Sequence, residues 1–73
     1  MALDIDGKTL RRLRTRAGLS HHDLAQRAQV RRESLAGMEE GTHRPHMDTL
    51  VRIARALDVD TRELLRRPRV ARR

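Results

Sequence analysis

Arg31, Arg32, Glu33 and Ser34 follow one another at the start of a segment whose apolar anchors are Leu35 and Met38, so at helical spacing these polar side chains and Gly37 share a face with no packing duty. The planar fork of arginine suits phosphate oxygens and can donate two parallel hydrogen bonds to the edge of guanine. Glutamate can accept from the amino group of cytosine. The whole chain leans the same way: seventeen Lys and Arg, all but Lys8 arginine, stand against ten Asp and Glu, a formal net charge of +7. A polyanion is the partner such a balance favours. Four histidines, His21, His22, His43 and His46, add donors that take up charge when a phosphate is near. Adjacent or three-apart histidines without acidic or thiol partners make no convincing zinc set, and no metal or cofactor is expected. With no cysteine, no glycine-rich phosphate loop, no serine–histidine–acid arrangement and little volume for a substrate pocket, the chain is not expected to be an enzyme.

These residues need elements to hold them, and the pattern predicts an all-α fold, a compact bundle of five short helices. The first runs from about Lys8 to Ala17, with Leu10, Leu13 and Ala17 inward and Gly18 free to take a left-handed cap. The second, His21 to Ala28, starts behind Ser20, a side chain that caps a first-turn amide while Asp23 answers the helix dipole. Its stripe is Leu24, Ala25 and Ala28, and the small Ala25 lets another helix come close. The third runs from Arg32 to Glu39 and stops at Gly41. The fourth, Met47 to Leu57, buries Leu50, Val51, Ile53, Ala54 and Leu57, and Asp60 with Glu63 caps a fifth near Thr61 to Arg66. Nothing reads as a strand or as a repeat. Residues 1–7 are an N-terminal extension, 8–66 the domain, and 67–73 a basic tail. A tail of this kind is most often solvated, with a DNA-tracking arm as the second reading. Without Phe, Tyr or Trp, aliphatic side chains must fill a small core of modest stability. No stretch is long and apolar enough for a membrane span or resembles a secretory signal, so a cytoplasmic, nucleoid-associated location is expected.

Leu19, Ser20, Leu24, Ala25, Val30, Glu39 and Gly41, in this order and at these spacings, resemble the helix-turn-helix of the lambda-repressor and Cro-like family. The likeness extends through Pro45, Thr49-Leu50, Ile53-Ala54, Ala56-Leu57, Val59 and Glu63-Leu64 and back to Leu10 and Arg14, covering about Leu10 to Leu65. It implies base contacts from Arg31, Arg32, Glu33 and Gly37, and backbone contacts from Ser20, His21, Ser34, Thr42, His43 and Arg44. It also implies an ion pair between Arg14 and Glu39 that ties the first helix to the end of the recognition helix. The function implied is a sequence-specific transcriptional regulator of double-stranded DNA, most simply a repressor acting as a homodimer on a two-fold operator. Dimer contacts would come from Leu57, Val59, Leu64, Leu65 and Val70, or from Leu3 and Ile5. A second possibility is an antitoxin-like module that binds DNA jointly with a protein partner, and a third is charge-driven binding of structured RNA. Four positions depart from the family. Gln29 and Asp58 stand where glycine is usual, Arg31 replaces a Ser or Thr N-cap, and His21 replaces a glutamine that bridges phosphate and recognition helix.

Overall fold

The computed structural model describes residues 3–66. Four α-helices run in order, α1 (Gly7–Arg16), α2 (His21–Ala28), α3 (Arg32–Glu40) and α4 (Met47–Leu57), and a single 3₁₀ turn, Thr61–Leu64, closes the chain. The expected fifth α-helix is therefore one 3₁₀ turn. Its capping box forms, with Asp60 and Glu63 each bonding the other's backbone amide. The helix cannot continue because Leu65 swings into extended backbone and pairs with Ile5 in an isolated antiparallel bridge.

That bridge also changes the standing of the N-terminal extension. The Asp6 amide donates to Leu64 O at 2.7 Å, the Arg66 amide to Asp4 O at 2.9 Å, and the Leu3 amide to Pro45 O at 2.8 Å. Residues 4–6 are thus stitched to the far end of the domain and Leu3 to the loop before α4, and Ile5 belongs to the core. Asp6 is also the N-cap of α1, its carboxylate accepting from the Thr9 amide at 3.3 Å.

Most of the expected stripes face inward. Leu10 of α1, Leu24, Ala25 and Ala28 of α2, Leu35 and Met38 of α3, and Leu50, Ile53, Ala54 and Leu57 of α4 form one cluster with Ile5 and Leu64. The stripe pattern places Ala17 and Val51 inside as well, and the structure does not. Val51 is half-buried, and Ala17, at the C-cap of α1, is exposed; the inward place one helical turn beyond Leu10 goes to Arg14 instead. Burial also corrects the expected dimer surface, since Ile5, Leu57 and Leu64 are core side chains. Leu3, Val59 and Leu65 pack against the core while staying partly exposed, and Val70 and the tail 67–73 lie outside the described residues.

Two helix ends carry strain that glycine would avoid. Gln29 and Asp58 both have φ 58°, the left-handed region in which a Cβ meets the following carbonyl. Gly41, by contrast, ends α3 at φ 86° with no such cost. Helices α2 and α4 pack against each other, and Arg52 of α4 donates from Nε to Ala28 O at 2.9 Å, capping the C-terminal end of α2.

Candidate nucleic-acid interface

The α2–turn–α3 unit leaves one end of α3 open. Arg31, Arg32 and Glu33 are exposed there, and among the described residues none of their side chains has a hydrogen-bond or ion-pair partner. Arg31 is the N-cap of α3 with extended backbone and gives no side-chain cap bond, as its replacement of the usual Ser or Thr leads one to expect. Ser34, one residue further in, is half-buried.

Gly37 is placed differently. A Cβ on it would lie 3.0 Å from the Cβ of His43 and 3.2 Å from Thr42 Oγ1, so it faces the loop after α3 and not an open face. Its carbonyl gathers that loop, accepting from the Thr42 amide at 2.8 Å and the His43 amide at 3.2 Å. Thr42, His43 and Arg44 are held exposed by this arrangement. They lie beyond the far end of α3 from Arg32, about 13 Å away along a nine-residue helix. The expected contact residues therefore form two clusters at opposite ends of one helix.

A third cluster opens α2. Ser20 and Asp23 form a full capping box, Ser20 Oγ accepting from the Asp23 amide at 3.0 Å and Asp23 Oδ2 from the Ser20 amide at 3.2 Å. Those bonds to Ser20 hold the Asp23 carboxyl below its usual range. His21 points the other way, its Nε2–H donating to Glu39 Oε1 at 2.9 Å. His22 is exposed.

Glu39 is where these elements are tied together. Arg14 Nε donates to its Oε2 at 2.6 Å and Arg14 Nη2 to its Oε1 at 3.2 Å, while Arg14 Nη1 donates to Leu19 O at 2.8 Å. The Glu39 side chain is 5% exposed and that of Arg14 10%, so the pair is close to buried. Burial alone would raise the Glu39 carboxyl, but the hydrogen bonds and charges of Arg14 and His21 outweigh it and hold the group below its ordinary range. One carboxylate thus joins the end of α3 to α1 and to the start of α2. The Arg14–Glu39 pair implied by the resemblance is present. The bridge to the recognition helix that the resemblance implies at position 21 is made by His21 through Glu39. Sequence reasoning misses the Arg52 cap on α2, because it links residues 24 apart, beyond any local spacing rule.

Among the described residues no group of three or more His, Cys, Asp or Glu is arranged to hold a metal ion, and no helix is long and apolar enough to cross a membrane.

The sequence pattern of a helix-turn-helix domain family matches residues 7–68, most of the chain and all four α-helices. The chain belongs to the helix-turn-helix family of DNA-binding regulators. Its solved relatives are of the lambda-repressor-like class. The restriction-modification controller protein C.AhdI from Aeromonas hydrophila is 37% identical, with a TM-score of 0.78 over 81% of this chain and 89% of that one. SinR, a master regulator for biofilm formation solved in complex with DNA, is 28% identical with a TM-score of 0.77 over 81% of this chain and 98% of its own. An HTH_3 family transcriptional regulator from Vibrio cholerae is 32% identical with a TM-score of 0.73, covering 78% of this chain and 32% of that one. Comparison with curated proteins gave no significant match.

Proposed function

We propose that this helix-turn-helix protein is a non-catalytic, sequence-specific repressor that binds a two-fold symmetric operator as a homodimer. The observation that carries the proposal is the unpartnered Arg31–Arg32–Glu33 cluster at the N-terminal end of α3, the end that this class of motif presents to base edges. Arg32 donates to a guanine edge and Glu33 accepts from a cytosine amino group, so each half-site carries G·C pairs at the contacted steps. Arg31 completes the base-reading set, whereas Gly37 faces the Thr42–His43 loop and serves to let that loop pack against α3. Ser20, His21, Ser34, Thr42, His43 and Arg44 hold the flanking phosphates. SinR supports the DNA-bound geometry, having been solved with DNA, and C.AhdI supports a controlling role. The half-exposed Val59 and Leu65 supply the two-fold contact between copies.

A protein partner is the second reading, and it has one support: SinR, 27% identical over 75% of this chain, has also been solved as a complex with SinI. The half-buried Leu3, Val59 and Leu65 would serve that partner in place of a second copy.

The test is a binding titration of wild type and Arg32→Ala against a selected site and unrelated DNA at fixed salt. Arg32→Ala weakens binding to the selected site by about 1–3 kcal/mol and relaxes preference at one base pair. Equal loss on both DNAs would reduce Arg32 to a phosphate contact.

A further inference from the structure

Helix α1 has a second face that the helix-turn-helix does not use. Gly7 and Arg14 turn toward α3, since a Cβ on Gly7 would strike the Glu39 and Met38 carbonyls and Arg14 is bonded to the Glu39 carboxylate. Thr9, Arg12, Leu13 and Arg16 recur at i, i+3, i+4 and i+7, a separate stripe of the same helix. With the closing turn and Leu65 this stripe lines an open cleft of about 1090 Å³. The charges in the cleft are unequally satisfied. Asp6 accepts from the Thr9 amide at 3.3 Å, Glu63 Oε2 from the Asp60 amide at 3.2 Å, and Asp60 pairs with Arg62 Nε at 3.3 Å, so all three carboxylates of the cleft are engaged within the fold. Arg66 is bonded to the Asp4 carboxylate at 3.4 Å. Arg12 and Arg16 are exposed, and among the described residues neither side chain has a hydrogen-bond or ion-pair partner. Four residues apart on one helix, they stand about 6 Å from each other along the wall of the cleft. Leu13 on the same stripe and Leu65 from the other end of the chain are half-buried, each with part of its surface open to the cleft.

We propose that this cleft docks an acidic amphipathic helical segment of a partner protein. Two carboxylates one turn apart on such a helix have the same spacing of about 6 Å, so each meets one guanidinium, while apolar side chains on the same face cover Leu13 and Leu65. Duplex DNA suits the cleft poorly, because a phosphate backbone brought against Arg12 and Arg16 would also face Asp6, Asp60 and Glu63. A helix can turn its acidic side to α1 and an uncharged side to the closing turn. Of the cleft, only Leu65 is shared with the proposed two-fold contact, Val59 lying outside it. The docking site is independent of base readout by α3, and either can fail alone.

The probe is a dye-labelled, alanine-based peptide of about 15 residues with two glutamates four apart and leucines on the same face, beside a twin carrying glutamine for glutamate. Fluorescence anisotropy with the full chain at low salt shows saturable binding of the glutamate peptide, about tenfold weaker binding of the twin, and a difference that shrinks as salt rises. Arg12→Gln with Arg16→Gln, checked for folding by thermal melting, removes the preference for glutamate. At about 150 mM salt the same variant keeps its DNA affinity within roughly twofold, because charges more than a Debye length away are screened. Arg12→Glu with Arg16→Glu reverses the preference toward a peptide carrying lysine in place of glutamate. Amide chemical-shift changes on adding the glutamate peptide fall on residues 9–16 and 60–66 and spare 31–34. Equal binding of the two peptides, no binding of either, or shifts centred on Arg31–Arg32 or on the His43–Arg44 loop would overturn the proposal. So would a wild-type dimer that dissociates in sedimentation on Arg12→Gln with Arg16→Gln, which gives the cleft to a second copy. A marked and equal loss of affinity for specific and unrelated DNA in that variant would overturn it as well, giving the cleft to nucleic acid.

Discussion

Replacing Glu39 with alanine strikes the point where α1, α2 and α3 meet. The truncation strands Arg14 Nε and Nη2 in a nearly buried place and frees His21 Nε2, while Arg14 Nη1 keeps its bond to Leu19 O. Breaking one side of a buried pair costs about 3–5 kcal/mol, and the surviving Leu19 bond places this case near the low end, about 3 kcal/mol. A domain this small has only roughly 4–11 kcal/mol in total, and at about 4–8 °C per kcal/mol the melting midpoint falls by roughly 12–24 °C. Glu39→Gln keeps an acceptor oxygen and loses less, about 1–2 kcal/mol. The pair Arg14→Met with Glu39→Met recovers part of the loss, because a matched apolar pair leaves no buried charge unpaired. The sign with pH comes from the lowered carboxyl of Glu39: its contribution is full above the unfolded-state value and disappears as pH falls through the folded one. The gap between wild type and Glu39→Gln is thus widest near neutrality and closes below about pH 4. Thermal melts of the four proteins by circular dichroism across pH decide the matter. A Glu39→Ala midpoint close to that of wild type at neutral pH would refute a structural role for the pair.

Gly7→Ala destabilises by about 2–3 kcal/mol in the same melts, because a Cβ there collides with the backbone carbonyls of Glu39 and of Met38, the latter at 2.6 Å; an unchanged midpoint would mean that the start of α1 shifts freely. Gln29→Gly removes left-handed strain and raises stability by about 0.5–1 kcal/mol despite glycine's greater freedom when unfolded, and a lowered midpoint would count against strain at that turn. His21 gives its Nε2–H to Glu39, so its other nitrogen can donate to a phosphate only when the ring is protonated. Replacing His21 with alanine removes that donor and weakens DNA binding, and an unchanged affinity would place His21 away from the backbone.

The helical frame is legible in the sequence because its signals are local. Ser20 with Asp23, the Leu24–Ala25–Ala28 stripe and Gly41 each act within one or two turns, and α2, α3 and α4 fall where those signals place them. The ends of the domain are not legible. Asp60 and Glu63 announce a helix start, but the length of that helix is decided by Ile5 pairing with Leu65, sixty residues apart, and backbone pairing of that kind leaves no spacing to read. Ala17 misleads because periodicity cannot tell a residue on the stripe from one already past the last turn. In the candidate site, the free N-terminal end of α3 can be read from residue type alone. Gly37 cannot, since its fate is decided by the loop that folds back onto it.

The most direct measurement is selection of binding sites from a random DNA pool by the full chain, with sequencing of the bound fraction. The predicted result is an inverted repeat whose half-sites carry G·C pairs at the steps facing Arg32 and Glu33, their centres about one helical turn, roughly 10 base pairs, or a multiple of it apart. A pool that stays unenriched, or that returns only A·T-rich sites without two-fold symmetry, would contradict base readout by α3.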